Sequence, residues 1–285
     1  MQINGLTKTC GVIGNPVEHT LSPVIHNHLA RLTGINMVYV PFKVESERVQ
    51  EAIAGAYALG IQGLNVTVPH KEKVIACLKE VDALAGRIGA VNTLVPCMGG
   101  YKGYNTDMPG LYRAMVSDGI SVDGGQVIIL GAGGVARAVA VMLADKAEHI
   151  YILNRTVEKA QAIAKEVNGF ANKEVVTAMP LDSYDKLPDG KYLAIQATNI
   201  GMHPHVEDVV LTDSAFYEKI HTGYDLIYNP GETKFMKLVK QQGGVAYNGL
   251  KMLLYQGIIA YELWNDMVIS QVQAEEIYEK LKEKL

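Results

Sequence analysis

A glycine-rich segment in the middle of the chain has the residue types that bind a phosphate through backbone atoms. An apolar run at 126–130 leads into Gly131-Ala132-Gly133-Gly134-Val135-Ala136, and helix-forming residues follow as far as Lys146. Glycine permits the tight turn and lets backbone N–H groups approach an anion at the start of a helix. A small third residue, here Ala136, lets the helix pack against the strand. A second apolar run at 149–153 completes the unit, so we predict a dinucleotide site rather than a structural turn.

The end of that second strand indicates which dinucleotide binds. An acidic residue there would bind the ribose 2′-hydroxyl of NAD. This chain instead has Asn154, Arg155 and Thr156, with Lys159 one helical turn further on. A guanidinium pairs with a 2′-phosphate, and a hydroxyl can add a hydrogen bond. These residues favour NADP, although Arg155 and Lys159 could also be solvated cations at the start of a helix.

A second group of polar residues lies on a predicted strand in the first third of the chain. Residues 63–68 alternate in character, so Asn65 and Thr67 share one face of that strand. Pro69 ends the strand and begins a predicted helix that carries Lys71. Such a group suits a polar binding site, and a solvated strand edge explains the pattern equally well.

Three more side chains lie beside predicted helix starts. Thr20 and Ser22 precede a helix predicted from Pro23, with Ser22 as its N-cap. Two hydroxyls at a helix N-terminus suit a small carboxylate, but they could also serve only as a turn and a cap. Asp107 precedes a helix predicted from about Pro109, and a capping role is again the simpler interpretation.

The elements that must position these residues alternate between strand and helix along the whole chain. In a doubly wound sheet, ligands bind beyond the carboxyl ends of the strands. Thr198 and Tyr228 follow predicted strands at 193–196 and 224–227, so we expect them near the cofactor or the substrate.

This alternation predicts an α/β protein of two lobes. The chain up to Asp107 forms one α/β region, and the region around the glycine loop continues to about Asn248. The C-terminal helices most simply return to the first region. The predicted domains are therefore 1–107 with 249–285, and 108–248, with the chemistry in a cleft between them.

Composition restricts the class of protein. The chain has 285 residues, which favours two cores, and a net charge of −4 gives no indication of a nucleic-acid surface. Cys10, Cys77 and Cys97 fit neither a disulfide framework nor a zinc spacing, which suits a reducing cytosol. His203 and His205 lack further ligands, so we predict no metal.

From these features we predict a cytoplasmic protein without a signal peptide or a membrane span. Its partner is a small-molecule substrate rather than nucleic acid or a membrane. The sequence leaves open whether it is a monomer or a homodimer.

Taken in order, these segments resemble the shikimate dehydrogenase family over nearly the whole chain. Each motif is weak alone, but the ordered set is specific. The motifs are Gly14-Asn15-Pro16, Leu21-Ser22-Pro23, Asn65-Val66-Thr67-Val68-Pro69-His70-Lys71, Ala90-Val91-Asn92-Thr93, Asn105-Thr106-Asp107, the loop from Gly131, Asn154-Arg155-Thr156, Ala197-Thr198, and Asn248-Gly249-Leu250 through Gln256.

The resemblance implies an N-terminal α/β substrate domain, a Rossmann-like doubly wound NADP domain, and the NADPH-dependent reduction of 3-dehydroshikimate in aromatic amino-acid biosynthesis. It implies that Lys71 and Asp107 are the catalytic pair. The implied substrate contacts are Thr20, Ser22, Asn65, Thr67, Asn92, Tyr228 and Gln256. The implied NADP contacts are Gly131, Ala132, Gly133, Gly134, Val135, Ala136, Asn154, Arg155, Thr156, Lys159, Thr198, Gly249 and Met252.

The chemistry of this family suits the implied pair. Reduction of a ketone by hydride leaves a developing alkoxide that needs a proton. A lysine ammonium stabilises that charge and donates the proton, and a neighbouring carboxylate favours the ammonium form. Lys71 would therefore act as the acid in reduction, and oxidation should be favoured at higher pH.

Three residues depart from the usual pattern of the family. Thr20 replaces a more frequent serine, Met108 follows Asp107 where glycine is usual, and Lys251 replaces a glycine near the predicted nicotinamide contacts. These changes leave the substrate preference and the placement of the cofactor open.

Three alternative functions remain. A quinate/shikimate dehydrogenase would accept a related ring acid and often NAD. Methylene-tetrahydrofolate dehydrogenase also has two lobes and a catalytic lysine, but its tyrosine four residues earlier is Thr67 here. The third is a non-catalytic, NADP-binding regulator.

Overall fold

The computed structural model describes residues 3–285, and these fall into two compact units. The first unit comprises the chain up to Leu111 together with Leu253–Lys284, and the second comprises Tyr112–Met252. The predicted borders, after 107 and after 248, precede the observed ones, after 111 and after 252. The assignment of the substrate to the first unit and of the cofactor to the second stays a prediction. In the described part of the chain, no helix is long and apolar enough to cross a membrane.

Residues 3–117 contain six strands and four α-helices. In order they are β1 (Lys8–Gly14), α1 (Ser22–Thr33), β2 (Met37–Lys43), α2 (Val49–Ala58), β3 (Gly63–Val66), β4 (Glu80–Val81), α3 (Ala83–Ile88), β5 (Thr93–Cys97), β6 (Gly100–Tyr104) and α4 (Asp107–Ser117).

The remainder of the chain also alternates between strands and helices. Its elements are β7 (Gln126–Leu130), α5 (Gly134–Leu143), β8 (His149–Asn154), α6 (Val157–Ala171), β9 (Val176–Pro180), β10 (Tyr192–Gln196), α7 (Ser214–Glu218), β11 (Ile220–Asp225), α8 (Lys234–Gln241), β12 (Val245–Tyr247), α9 (Leu250–Asn265) and α10 (Gln271–Lys282).

The first unit is built on a mixed six-stranded sheet of order β2-β1-β3-β5-β6-β4. Strand β1 runs parallel to β2 and β3, whereas β5 is antiparallel to β3 and β6. The predicted alternation on β3 is present, because Leu64 and Val66 belong to a hydrophobic core cluster and Asn65, between them, does not. The sheet therefore turns its apolar side chains to the core and leaves Asn65 on the opposite face.

The second unit is built on a parallel sheet of order β12-β11-β10-β7-β8-β9. From β9 to β12 this is the order 3-2-1-4-5-6 of doubly wound dinucleotide-binding folds. The strand order reverses between β7 and β10, and Val127–Leu130 of β7 are fully buried, as in a parallel sheet covered on both faces. The predicted α/β class is confirmed.

A tryptophan on α9 completes the first unit. The only tryptophan of the chain, Trp264, lies so close to β3 that a Cβ added at Gly63 would be 2.4 Å from the indole ring. Its Nε1 donates a hydrogen bond of 2.9 Å to the carbonyl oxygen of Leu94 on β5. A helix from the last part of the chain thus packs on strands from the first hundred residues.

Two local predictions were wrong. Ser22 is the first residue of α1 rather than its N-cap, and Leu21 occupies that position without a side-chain bond. Lys71 lies in a turn instead of a helix, because its carbonyl oxygen accepts a hydrogen bond of 2.9 Å from Val91 N. Helix α9 ends at Asn265, since Asp266 adopts a left-handed conformation with φ 47°.

Candidate active site

The centre of the candidate site is an ion pair in the first unit. Lys71 Nζ lies 2.7 Å from Asp107 Oδ2, and the two side chains are 31% and 18% exposed. Both groups can therefore reach a ligand, yet they are more sheltered than a surface pair, in which water screens most of the attraction. Lys71 thus offers a charged N–H donor to a ligand, and the Asp107 carboxylate is its counter-ion.

Asp107 is not the cap of α4. It is the first residue of that helix, and its carboxylate contacts Lys71. Asn105 takes the capping role instead, because its Oδ1 accepts a hydrogen bond of 3.2 Å from Met108 N. The capping interpretation of Asp107 was therefore wrong, and its carboxylate is available for the site. Met108 itself is 2% exposed.

Asn92 lies just before β5, and its amide oxygen, not its amide nitrogen, makes the hydrogen bonds of this side chain. Its Oδ1 accepts hydrogen bonds from Thr106 N at 2.7 Å and from Thr106 Oγ1 at 3.2 Å. Among the described residues, no acceptor lies within bonding distance of Asn92 Nδ2. The segment that precedes Asp107 thus fixes the Asn92 side chain and leaves an amide donor for a ligand hydroxyl.

Asn65 is held more completely than the sequence indicated. Its Oδ1 accepts a hydrogen bond of 2.7 Å from the Tyr39 hydroxyl, and its Nδ2 donates to Asn92 O at 3.2 Å and to Thr93 Oγ1 at 3.0 Å. Only the second lone pair of Oδ1 remains. The predicted contact between Asn65 and a substrate stays a prediction, and the observed role of this residue is to join β2, β3 and β5.

An aromatic layer supports Asn65 from behind. The His26 ring stacks on Tyr39 with centroids 4.2 Å apart and lies 5.0 Å from the Trp264 ring. Burial lowers the pKa of His26 to about 3, which the nearby Asn65 amide opposes only in part. The imidazole is therefore neutral at physiological pH and acts as a rigid packing surface.

The remaining predicted substrate residues of the first unit lie at the ends of its elements. Thr20 Oγ1 bonds to Ser22 Oγ at 3.1 Å and accepts from Ser22 N at 3.3 Å, so the two hydroxyls are adjacent at the start of α1. Thr67 follows β3, and its N–H donates to Ile13 O at 2.9 Å. These positions suit recognition of a carboxylate at a helix N-terminus.

Gln256 lies beside α4 because helices α4 and α9 come very close. A Cβ added at Gly110 of α4 would lie 2.6 Å from the backbone nitrogen of Gln256 on α9. Gly110 is one turn after Asp107, so α9 carries the backbone of Gln256 past the helical turn that holds the Asp107 carboxylate. Its Nε2 donates to Leu253 O at 2.8 Å. Tyr228 lies in the second unit, where burial raises the pKa of its hydroxyl.

The glycine loop of the second unit has the geometry of a phosphate site. Gly131 has a φ of 109°, and a Cβ there would be 2.7 Å from Thr198 Cγ2, so only glycine fits. In contrast, a Cβ at Gly133 or Gly134 would meet nothing within 4 Å. The first N–H of α5 with a backbone acceptor is that of Arg137, which bonds to Gly133 O at 3.0 Å.

The open space at the loop is therefore lined by backbone donors. Residues Gly134, Val135 and Ala136 have N–H groups without an intrahelical acceptor, as at any helix start. Ala136 is fully buried against the sheet, as the third position of the motif requires, whereas Val135 is 47% exposed. These residues fit the pyrophosphate of a dinucleotide.

Basic side chains follow β8 at the place predicted. Arg155, Thr156 and Lys159 are exposed, and Asn154 Nδ2 donates a hydrogen bond of 2.8 Å to Thr156 O, which closes the turn. In the described part of the chain, neither Arg155 nor Lys159 has a carboxylate partner. Their charges are thus available to a phosphate on the adenosine ribose.

The start of α9 carries the residues predicted near the nicotinamide. A Cβ at Gly249 would lie 2.2 Å from Leu226 O, so glycine is required for the close approach of these segments. Met252 is half-buried on the first turn. Lys251, which replaces a glycine of the family, extends to Asp118 with Nζ 2.5 Å from Oδ1. Its charge is directed to the end of α4.

A buried carboxylate lies below two loops of the second unit. Asp225, at the end of β11, is fully buried and accepts hydrogen bonds from Thr233 Oγ1 at 2.6 Å and from Ile227 N at 3.0 Å. Gln196, at the end of β10, also donates to it at 3.4 Å. Burial raises the pKa of Asp225 to about 6, although these hydrogen bonds lower it in part.

The buried charge of Asp225 should make the stability of the protein depend on pH. A folded-state pKa of about 6, above the ordinary 3.8, means that this group stabilises the fold below about pH 4 and that the contribution is lost as the pH rises to about 6. The loss corresponds to about 3 kcal/mol. Denaturant unfolding at several pH values tests this prediction. We expect the free energy of unfolding of Asp225→Asn, minus that of the parent, to increase by this amount from pH 4 to pH 7.

The exposed Asp182 provides the control, because Asp182→Asn removes a carboxylate from the surface and leaves the buried one in place. A constant difference between Asp225→Asn and the parent over this range would contradict the prediction.

A phosphate-binding loop on a doubly wound sheet and a half-buried lysine–carboxylate pair are the parts of a dehydrogenase that uses a nicotinamide dinucleotide. Two family models match the chain. One describes a shikimate dehydrogenase substrate binding domain and matches residues 12–94. The other describes shikimate/quinate 5-dehydrogenase and matches residues 115–202.

Similar proteins agree with these models. A shikimate dehydrogenase (NADP(+)) of Carboxydothermus hydrogenoformans is 41% identical over 264 residues, covering 93% of this chain and 94% of the relative. The enzyme of the same name from Methanocaldococcus jannaschii is 44% identical over 262 residues, covering 92% and 93%. A crystal structure of shikimate dehydrogenase in complex with NADP+ has a TM-score of 0.87 at 41% identity, covering 98% of this chain and 97% of its own.

The chain belongs to the shikimate dehydrogenase family. The family predicted from the ordered motifs is confirmed, and so is the two-part α/β fold that the resemblance implied.

Proposed function

We propose that this protein catalyses the reversible, NADPH-dependent reduction of 3-dehydroshikimate to shikimate, a step of aromatic amino-acid biosynthesis. The observation that carries the proposal is the Lys71–Asp107 pair at 2.7 Å, half-buried in the unit that matches the substrate-binding family model. A protein that only bound NADP would have no use for such a pair beside a cluster of polar residues.

The Lys71–Asp107 pair donates and accepts the proton of the reaction. When bound, NADPH supplies the hydride, and the carbonyl oxygen of the substrate becomes an alkoxide. The Lys71 ammonium stabilises that oxygen and gives it a proton, and Asp107 stabilises the ammonium before the transfer. In the oxidative direction the neutral lysine accepts the proton from the hydroxyl, so a higher pH favours that direction.

The polar residues of the first unit hold the ring. The hydroxyls of Thr20 and Ser22, at the N-terminus of α1, receive the carboxylate, and the Asn92 amide donates to a ring hydroxyl. Gln256 and Thr67 complete the contacts of this unit, and the substrate contact of Tyr228, in the second unit, stays a prediction. Each contact is directional, which suits a small substrate with several hydroxyls.

The second unit holds NADP. The backbone donors after Gly133 bind the pyrophosphate, and Arg155 with Lys159 binds the 2′-phosphate. Thr198, Gly249 and Met252 lie on the segments that we assign to the nicotinamide end.

We expect the enzyme to act in the cytoplasm, because all three cysteines are free thiols, which suits a reducing compartment. Its assembly as a monomer or a homodimer stays a prediction.

Initial rates of cofactor reduction with shikimate and with quinate, each against NADP and NAD, test the proposal. We expect turnover largely confined to shikimate with NADP. Comparable rates with quinate and NAD would indicate a quinate/shikimate dehydrogenase, a possibility that the second family model includes by name. Binding of NADP without turnover of either acid would contradict the enzymatic function and favour the regulator.

A further inference from the structure

Two loops of the second unit converge on one buried amide. Gln196 Oε1 accepts two hydrogen bonds from Thr198, one from the backbone nitrogen at 2.6 Å and one from Oγ1 at 2.7 Å. Gln196 Nε2 donates to Ile200 O at 3.1 Å and to Asp225 Oδ1 at 3.4 Å. Both ends of this side chain are therefore used, and the loop after β10 folds around it.

The carboxylate on the other side of this contact organises the loop after β11. Asp225 Oδ1 also accepts from Ile227 N at 3.0 Å, which fixes the residue before Tyr228. The carbonyl oxygen of Ile227 in turn accepts from Gly249 N at 3.0 Å. A continuous series of hydrogen bonds thus leads from Thr198 through Gln196 and Asp225 to the start of α9.

This series of hydrogen bonds places two polar side chains in the interior, which packing of the strands alone does not require. Gln196 and Asp225 are both fully buried between apolar strands, where aliphatic side chains are the usual occupants of a parallel sheet. A buried carboxylate is destabilising unless its partners are well placed, and here it is met by three donors. All the loops that it joins carry residues that we assign to the nicotinamide end or to the substrate.

We propose that Gln196 and Asp225 are positioning residues, a single amide–carboxylate contact that sets the loops bearing Thr198, Tyr228 and Gly249 for hydride transfer. This inference rests on the proposed function. The phosphate end is held by different residues, so loosening the contact should disturb the nicotinamide far more than the affinity for NADP.

The substitution Gln196→Met tests this inference, because methionine has a similar volume and length but no polar atom for Thr198 or Asp225. We expect kcat with saturating shikimate and NADP to fall about 10- to 100-fold, as small misplacements of reacting groups do. The KM for NADP should stay within about threefold of the parent value, since uniform binding is retained. With 4-deuterated NADPH in the reductive direction, the isotope effect on kcat should rise, because hydride transfer becomes slower than product release.

The matched control is Gln126→Met. Gln126 begins β7, the strand next to β10, at the amino ends of the strands rather than at the carboxyl ends where Gln196 lies. Its buried Oε1 has no hydrogen-bond partner among the described residues. This control should retain the parent kcat. A fall in kcat of equal size in both variants, or a kcat of Gln196→Met within about twofold of the parent, would overturn the proposal.

A second measurement does not depend on activity. Without any ligand, Gln196→Met should accelerate amide hydrogen exchange both in 197–200 and in 226–228, although only the first segment is adjacent in sequence. Exchange that accelerates in 197–200 alone would show that the two loops are not coupled and would overturn the proposal. Absence of turnover by the parent protein would instead count against the proposed function and leave this readout intact.

Discussion

Replacement of Lys71 with alanine should lower kcat for shikimate oxidation by about 10³-fold or more, because general acid–base transfer and stabilisation of the oxyanion are lost together. The KM for shikimate should change by less than about threefold, since the carboxylate and ring hydroxyls keep their own partners. Steady-state rates with saturating NADP measure both constants. Equal losses in kcat and in substrate affinity would show that Lys71 binds the substrate instead of serving as its acid.

Two further variants separate the charge of Lys71 from its proton. Lys71→Arg can still pair with Asp107, but a guanidinium stays protonated throughout the pH range of the assay and so cannot accept the proton in oxidation. We therefore expect this variant to remain at least about 100-fold slower than the parent. Lys73, two residues further on, is exposed, and Lys73→Ala should leave kcat unchanged.

Removal of the basic side chains after β8 should change the choice of cofactor. In the double variant Arg155→Ala and Lys159→Ala, kcat/KM for NADP should fall about 100-fold, since hydrogen bonds to a charged group contribute about 1.5–3 kcal/mol. With NAD, kcat/KM should stay within about threefold of the parent, because that cofactor has no 2′-phosphate. Initial rates over a range of each cofactor concentration give the two values.

Lys165→Ala is the control for this experiment, because Lys165 is exposed on the same helix, α6, and lies well beyond its first turn. It should affect neither cofactor. A parallel loss with NADP and NAD in the double variant would contradict recognition of the 2′-phosphate, since it would place these side chains at a part that the two cofactors share.

The parts of the fold that follow from local pattern could be predicted from the sequence. The glycine loop requires neighbouring residues of fixed types, so its strand, its turn and its helix could all be inferred. The short elements β4, α3 and α7 and the edge strand β9 lacked such a pattern and were missed. Helix α8 was also missed, although its buried residues recur at helical spacing. Lys71 was placed in a helix because Pro69 suits a helix start, whereas pairing with Val91, 20 residues later, holds the segment in a turn.

Contacts between distant residues account for most of what the sequence could not reveal. Tyr39 bonds to Asn65 across 26 residues, and Lys251 pairs with Asp118 across 133. Gln196 and Asp225 each end an ordinary buried strand, so nothing in their spacing indicates that they meet. The identities of Lys71 and Asp107 as a pair came from the resemblance, since spacing alone favoured a helix cap for Asp107.

The return of α9 to the first sheet has a consequence for synthesis on the ribosome. The first unit cannot close until residues 253–284 have been made, after the whole of 112–252. At about 5–20 residues per second, synthesis of residues 112–284 takes roughly 9–35 s, and the sheet stays open for that time. The intervening unit has all of its strands once residue 252 has been made, so it can fold before the first unit closes. The only tryptophan packs on Gly63 only after α9 has been made. Its fluorescence therefore reports the closing of the first unit during synthesis and does not report the folding of the inserted unit.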